Sequence, residues 1–557
     1  MFNNSLLPLK YYYFLLMKQQ YCFSITSKSK FLKLLLLLFL FSGAGVAQSF
    51  SAFNLAIYDS SVTGYYFLVT RQLGDVLMGD PTQLILNEKG EAVYYKPFAN
   101  NPPSTDFKLQ PNGMISYFRG TKYFLLDSTF TRVDSVNCIG YNTDAHDMQI
   151  LGNGHYLLLG IEYSTMDLST YNYFNNNGTP GSSNATVSSD LIQELDANKN
   201  VVFEWHSFAH FQFDDVDEFW LHDPNYVDWT HSNSIEMDTD GNILVSIRHF
   251  NEITKIDHAT GNILWRLGGK ENEFTFLNDS LTFRGQHDIR RIANGNITLF
   301  DNGNHTIPHG ARGVEYALDE VNKTADLVWS YTRDPNMTSY ATGNNQRVSE
   351  SRKIINYGNR GEGSICFTFI DSLDNPISEL SFTDSAGSYR VFFYPSLPWN
   401  LKRPQVICYQ QLNDFYLTTI TSHTSYLWST GATTATIQVT ATGTYHVYVP
   451  YGEGFIKSEN FEVISTGNPC STISVQETGL NSNDIFLYPN PASSSLTIHY
   501  PLTGEKVYEL KIVDVTGKLV FKDNLPPTGK YVLHTGIFER GIYFLRIGNL
   551  AAKFFRD

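Results

Sequence analysis

Thr230-His-Ser-Asn-Ser-Ile-Glu-Met-Asp-Thr-Asp-Gly241, running directly into Asn242-Ile-Leu-Val-Ser-Ile-Arg248, is a polar head, a strand, an Asp-Gly turn and a second strand. An Asp-Gly or Asn-Gly pair between strand-like runs favours a tight hairpin, because both central residues of such a turn need positive φ. The phrase recurs. Asp144-Ala-His-Asp-Met-Gln-Ile-Leu-Gly-Asn-Gly154 leads into His155-Tyr-Leu-Leu-Leu159, and Gly285-Gln-His-Asp-Ile-Arg-Arg-Ile-Ala-Asn-Gly295 into Asn296-Ile-Thr-Leu-Phe-Asp301. A weaker copy is Phe107-Lys-Leu-Gln-Pro-Asn-Gly113. Each strong copy is followed by an Asp-led turn and a strand closing on Trp: Glu194 to Trp205, Lys255 to Trp265, Tyr316 to Trp329. Two hairpins per repeat make a four-stranded unit, and such a unit recurring about every 40–60 residues is the signature of a β-propeller blade. With weaker copies near Gln83–Tyr95 and Asn345–Phe393, five to six units fit between about residues 52 and 400. The Asn/Gly/Ser-rich stretch Tyr171–Ser189 and the aromatic, acidic stretch His210–Trp229 account for the longer gap between the first two strong copies.

Beyond Pro404 the repeat stops. Tyr426 to Val439 and Gly443 to Val449 alternate strictly, are rich in Thr and carry a Trp suited to a sandwich core, so 401–466 reads as an immunoglobulin-like module. Residues 467–483 read as a linker and 484–557 as a last small β-sandwich. At the other end, Lys28, Lys30 and Lys33 precede the apolar run Leu34–Phe41, and Gly45-Val46-Ala47 stands before Gln48. This reads as a cleaved export signal within a leader of 1–47, too short to span a membrane. No later stretch is long and apolar enough to span, so the processed chain is expected to be secreted or attached to the outer cell surface.

Composition agrees with an exported β protein: in 557 residues 42% are hydrophobic, 14% aromatic and only 17% charged. The net charge of −15 excludes a nucleic-acid partner, which needs a basic footprint, but admits a small anion in a local pocket. Cys138, Cys366, Cys408 and Cys470 lack zinc-ligand spacing. Cys408 and Cys470 bracket the Thr-rich module and are placed to bridge it, whereas Cys138 and Cys366 read as buried thiols.

Residues at the head of the repeat in different blades converge on the propeller axis. His146, His231 and His287 hold that position three times, joined by Asn233 and Arg248, and such a polar cluster is costly to bury for stability alone. Three readings remain open on these residues: imidazoles pinning the blades, a metal triad, and an oxyanion site. The fixed charge of Arg248 opposes a metal and suits phosphate or sulfate. Asp147 and Asp288, each one residue past a His, are expected to point away from the channel and to orient neighbours. Aromatic residues between Phe211 and Trp229 are placed to form one wall of such a site. Gly268-Gly269 lacks the Lys-Ser/Thr of a P-loop, and no metal or organic cofactor is expected.

Two resemblances follow from particular motifs. Leu487-Tyr-Pro-Asn-Pro-Ala492, Val513-Asp-Val-Thr-Gly-Lys518 and Gly541-Ile-Tyr-Phe-Leu-Arg546 resemble the C-terminal sorting domain of the Bacteroidetes type IX secretion system, whose machinery is the implied partner. Asp228-Trp-Thr-His-Ser-Asn-Ser234, Ile247-Arg248, Lys255-Ile-Asp257, Ile263-Leu-Trp-Arg-Leu-Gly-Gly269, Gly285-Gln-His-Asp288 and Leu299-Phe-Asp-Asn-Gly-Asn304, in that order, resemble the bacterial arylsulfate sulfotransferases, exported six-bladed propellers. The resemblance implies transfer of a sulfuryl group from an aryl sulfate to a phenolic acceptor through a sulfated histidine, without a phosphoadenosine donor. It assigns His287 as nucleophile, His146, His231 and Arg248 as catalytic partners, and Asn233, Asn345 and Arg347 as substrate-binding residues. After Asn345-Gln-Arg347 the family's pattern is degraded, to Val-Ser-Glu-Ser-Arg352. A non-catalytic surface propeller is the alternative.

Overall fold

In the computed structural model, residues 50–556 are described except 73–80, 99–103, 172–177, 305–309, 336, 359–363, 384–385, 412–413, 467–469, 471–484, 501–507, 516, 527–528 and 549. The leader read at 1–47 and, apart from Cys470, the linker read at 467–483 lie outside them.

The chain is almost entirely β. Between Phe53 and Tyr394 the described strands make six sheets, each built on four antiparallel strands, two of them with a short parallel strand, Tyr226–Asp228 or Thr275–Leu277, added. From the innermost strand outward, sheet I is Val391–Tyr394, Tyr65–Gln72, Thr82–Asn87 and Ala92–Pro97; sheet II is Ser104–Leu109, Ile115–Arg119, Lys122–Leu126 and Arg132–Val136. Sheet III is Asn142–Ile150, Tyr156–Met166, Ala185–Leu195 and Val201–His206; sheet IV is Ser232–Met237, Ile243–Ile247, Glu252–Ile256 and Ile263–Gly268. Sheet V is His287–Arg291, Ile297–Asp301, Arg312–Asp319 and Thr324–Tyr331; sheet VI is Asn344–Ser349, Arg352–Asn356, Ile365–Ile370 and Pro376–Phe382. Inner strands pack consecutively from sheet II to sheet VI, then on Val391–Tyr394, and Tyr65–Gln72 packs on Ser104–Leu109, so the ring closes. This is a β-propeller.

Closure uses both ends of the propeller segment. Phe53–Ile57 adds an outer strand to sheet VI, in register Phe53 to Phe382 through Ile57 to Ser378, while Val391–Tyr394 supplies the inner strand of sheet I. The hydrophobic core is divided into clusters between neighbouring sheets. Leu244, Ile253 and Trp265 of sheet IV meet Ile289, Leu299 and Val314 of sheet V, for example, and comparable clusters fill the other five junctions. The recurring Trp has a recurring task. Its indole N–H donates across to the outer turn of the next sheet, from Trp205 to the Gly261 carbonyl, Trp265 to Glu320 and Trp329 to Asp374, each at 2.9 Å.

The Thr-rich stretch is not detached from the propeller. Its hairpin Val447–Tyr451/Gly454–Lys457 pairs with Ala92–Pro97 and extends sheet I outward, while Trp428 is buried in a small core with Val447, Val449 and Ile456. Cys408 and Cys470 form a disulfide, and Cys138 and Cys366 are buried thiols. The C-terminal segment folds as a three-stranded and a four-stranded sheet around Leu496, Ile498, Leu510, Ile512 and Leu545. Among the described residues no helix is long and apolar enough to cross a membrane.

Candidate active site on the propeller axis

The inner strands are not regular where they approach the axis. Register slips between Thr105 and Lys108, between Ser232 and Ser234, and between His287 and Arg290, and again opposite His146. Asp106, His231, Asp288 and Thr342 there have φ of 51°, 51°, 61° and 66°, a left-handed conformation uncommon outside glycine. Bulges of this kind break the two-residue alternation and re-aim side chains. That overturns the expectation for Asp147 and Asp288. Asp147 accepts from Lys108 of sheet II at 2.5 Å, from Arg290 of sheet V at 2.7 Å and lies 3.2 Å from Arg390, and Asp288 lies 2.8 Å from Arg290. With Asp106, also paired to Lys108 and Arg390, three carboxylates face three cations in a buried axial network.

Beside this network the structure brings together His146, His231, Arg248 and His287. His287 is 1% exposed. Its Nδ1 donates to the Asn302 side-chain oxygen at 2.7 Å and the Gly285 carbonyl at 3.0 Å, so Nε2 carries the lone pair, and Nε2 accepts the Thr342 N–H at 3.1 Å. Burial and the nearby Arg248 charge hold this imidazole well below its ordinary pKa, in its neutral form. Asn302 is itself fixed by donating to Ser339 and the Thr342 carbonyl.

Arg248 is buried, yet among the described residues it forms no carboxylate pair. Its Nη1 donates to His249 Nε2 at 3.1 Å, its Nη2 to the Tyr340 carbonyl at 2.8 Å, and its Nε has no hydrogen-bond partner. The guanidinium lies 3.9 Å over the Trp220 ring, and burial pulls it down to about 10. Arg248 and His249 lie together because the chain leaves sheet IV in a 3-10 turn, Arg248–Phe250, closed by left-handed Asn251. His146 and His231 are partly exposed, their rings 4.9 Å apart. Their Nδ1 atoms face Asp144 at 2.7 Å and Asp228 at 2.5 Å. Burial, with the charges of His146 and Arg248, holds His231 below its ordinary value despite Asp228; at His146 burial is opposed by Asp144, Asp190 and Asp228 together, and the imidazole is held above its ordinary value.

Three sequence-assigned residues are engaged elsewhere. The Asn233 amide donates to the Gln286 carbonyl at 2.7 Å and ties sheet IV to sheet V. Asn345 and Arg347, two residues apart on one strand, share a face, and that face packs on sheet V. Asn345 donates to the Leu299 and Val314 carbonyls, and Arg347 pairs with Glu315. Of the expected aromatic wall, Phe211, Phe213 and Trp229 lie in the core between sheets III and IV, whereas Trp220 lies against the Arg248 guanidinium. The sequence reading assigned no role to Asn302, His249 or Thr342, although Asn302 stands inside the quoted Phe-Asp-Asn-Gly-Asn run. Asp228, His231 and His249 have ligand atoms close enough to share a metal ion. His249 Nε2 already accepts from the Arg248 cation, however, and the set does not fit a metal.

Buried imidazoles beside a guanidinium that has no carboxylate pair among the described residues make a setting whose chemistry suits a small oxyanion. Residues 62–365 match the arylsulfotransferase (ASST) family; the chain belongs to that family and is a sulfuryl transferase by class. Residues 486–556 match the secretion-system C-terminal sorting domain, which marks the protein for export and then secretion or surface attachment. No curated protein matches the sequence significantly. Similar solved structures include a protein of unknown function from Bacteroides caccae (12% identity, 59% of this chain, 98% of that one, TM-score 0.38). A streptogramin B lyase (11%, 73%, 97%, 0.30) and the Cps50 (Swd1) β-propeller domain of Myceliophteria thermophila (10%, 56%, 88%, 0.32) are further examples. At these TM-scores the likenesses have no bearing on the site.

Proposed function

We propose that the protein moves a sulfuryl group from an aryl sulfate to a phenol in two steps through a sulfohistidine at His287. The observation that carries this reading is a buried, neutral imidazole, its tautomer fixed by Asn302, near a buried guanidinium that among the described residues has no carboxylate pair. The His287 Nε2 lone pair attacks sulfur, the sulfur–aryl oxygen bond breaks, and the electron pair leaves with the phenolate, which takes a proton from the His146–His231 pair at the mouth. In the second step the acceptor phenol returns that proton, its oxygen bonds to sulfur, and the N–S pair goes back to Nε2. Covalent catalysis of this kind divides one hard transfer into two easier ones, while Arg248 meets the charge on the oxygens in flight. For attack to occur, the Thr342 N–H must first release Nε2.

That same bond favours a second reading, a surface propeller that binds an oxyanion without turnover, because the nucleophile's lone pair is engaged in the free protein. One experiment separates the two. Donor alone leaves a sulfuryl mass on the Gly285–Arg290 peptide, His287→Ala abolishes adduct and transfer, and reciprocal rate plots are parallel. Intersecting plots, or transfer by His287→Ala, refute the two-step route. Inactivity of folded wild type toward several aryl sulfates leaves the binding reading.

A further inference from the structure

We infer that His249 is a positioning residue that holds the Arg248 guanidinium by a neutral acceptor nitrogen, leaving its charge free for the anion; the inference rests on the oxyanion reading of this site. The hydrogen bonds determine the state of His249 without appeal to any titration. Its Nδ1 lies 2.6 Å from the Asp228 carbonyl, and a carbonyl oxygen only accepts, so Nδ1 carries the proton. Its Nε2 faces an Arg248 nitrogen at 3.1 Å, and a guanidinium only donates, so Nε2 carries the lone pair. A second proton at Nε2 would set two N–H groups and two positive charges against each other.

The ring is fixed as firmly as its tautomer. It stacks on His231 at 4.5 Å and 19° on one face and on Trp220 at 4.4 Å and 16° on the other, and Trp220 also lies under the guanidinium. Asp228 thus sets two imidazoles at once: its carboxylate takes the Nδ1–H of His231 and its carbonyl that of His249. The consequence for Arg248 is chemical. Where another buried arginine of this axis, Arg390, is held by carboxylates, Arg248 is held by an imidazole nitrogen and a peptide oxygen, which orient the fork without cancelling its charge.

His249→Phe keeps an aromatic ring in the stack and removes the acceptor. His249→Gln removes the ring and restores an acceptor toward Arg248 with a donor toward the Asp228 carbonyl. The assays are steady-state transfer from 4-nitrophenyl sulfate to phenol, calorimetric binding of inorganic sulfate, and thermal melts. A hydrogen bond to a charged group translates into about 10–100-fold; His249→Phe is expected to lose that much in kcat/KM and in sulfate affinity, and His249→Gln to recover most of both. A role in stacking alone gives the reverse order, Phe close to wild type and Gln impaired, and overturns the inference, as does equal impairment of the two. Should His249→Phe fail to fold, the ¹⁵N shifts of the wild-type histidines decide, since a cationic or Nε2-protonated His249 at pH 7 also overturns it. Sulfate affinity in the order wild type, Gln, Phe from a protein without transfer activity supports the role of His249 while the transfer reading falls. Transfer that is alike in all three does the opposite, and wild type that neither binds sulfate nor transfers overturns both.

Discussion

Arg248→Met and Arg390→Met make the same chemical change at two buried arginines, and the structure assigns them opposite consequences. Arg390 is 3% exposed and lies 2.9 Å from Asp106, 3.2 Å from Asp147 and 3.6 Å from Asp288. Its removal leaves buried carboxylates unpaired, at a cost of about 3–5 kcal/mol. Arg248 is 3% exposed and has no such partner among the described residues. Burial that pulls it down to about 10 corresponds to a cost on the order of 3 kcal/mol for keeping the charge inside. Methionine recovers that cost and keeps apolar contact with Trp220, but forfeits two charge-assisted hydrogen bonds worth about 1.5–3 kcal/mol each. The net change is expected to stay within about 3 kcal/mol of zero and below that of Arg390→Met. Function moves the other way: on the proposed reading, losing the Arg248 guanidinium should lower transfer by at least about 10²–10³-fold, the scale of a lost oxyanion donor. Sulfate at about 100 times its Kd should stabilise wild type by about 2.7 kcal/mol and leave Arg248→Met unmoved beyond the general salting effect. Urea melts with sulfate or chloride at equal ionic strength read both quantities. If Arg248→Met is destabilised as much as Arg390→Met, or keeps its sulfate response, Arg248 is a structural residue and the reasoning fails.

Arg248→Lys keeps a charge but not the planar fork that grips two oxygens, so stopped assays should show a large loss of transfer with a melt close to wild type. Because His287 is held well below its ordinary value by burial and Arg248, the nucleophile stays unprotonated into acid. The burst of phenol release should therefore stay level as pH falls from 8 to 6, where an unperturbed imidazole would halve it near 6.5. Asn302→Asp puts a carboxylate on His287 Nδ1 and raises that pKa, so its burst should acquire an acid limb; an identical profile in the two proteins tells against Asn302 setting the nucleophile. Replacing both Cys408 and Cys470, 62 residues apart, by Ser removes a constraint worth up to about 4 kcal/mol. The 406–463 region should melt earlier while transfer is retained, since the bridge touches no axial residue.

The repeat was legible because each sheet is built from local hairpins. Asp-Gly and Asn-Gly turns, the Asp-led outer turns and the closing Trp are all short-range signals, and Trp205, Trp265 and Trp329 repeat because each bonds the next sheet in the same way. Closure was not legible. Phe53–Ile57 pairs with Pro376–Phe382, and Val391–Tyr394 with Tyr65–Gln72, across more than 300 residues with no local sign of the partner. The same holds for Gly454–Lys457, which joins sheet I. Within the site, His146, His231 and His287 stood out because a histidine recurs at the head of the repeat, and Arg248 because it closes the strand that follows one of them. Asn233, Asn345 and Arg347 stood out equally, but alternation and bulges carry their side chains to the junction between sheets. His249 was hidden for the converse reason: next to Arg248 on a strand it would face the other way, and only the 3-10 turn at Arg248–Phe250 turns both side chains to one place.

That local departure from the strand is what separates the two kinds of charge on the axis. Asp106, Asp147 and Asp288 lie on the bulged inner strands of sheets II, III and V and reach Lys108, Arg290 and Arg390 directly, so that three cations are neutralised within the protein. Arg248 leaves its strand before that network, and its neighbours from the turn and from the 339–343 segment offer only an imidazole nitrogen and a carbonyl. Tyr389 stands where the two regions meet, its ring against His146 and its hydroxyl on the Asn233 carbonyl that also receives Arg390. A buried cation without a carboxylate pair costs stability, and under the proposed function an anion supplied from outside offsets part of that cost. On that reading the ionic balance of the neighbouring network leaves Arg248 as the place where the ligand's charge is met.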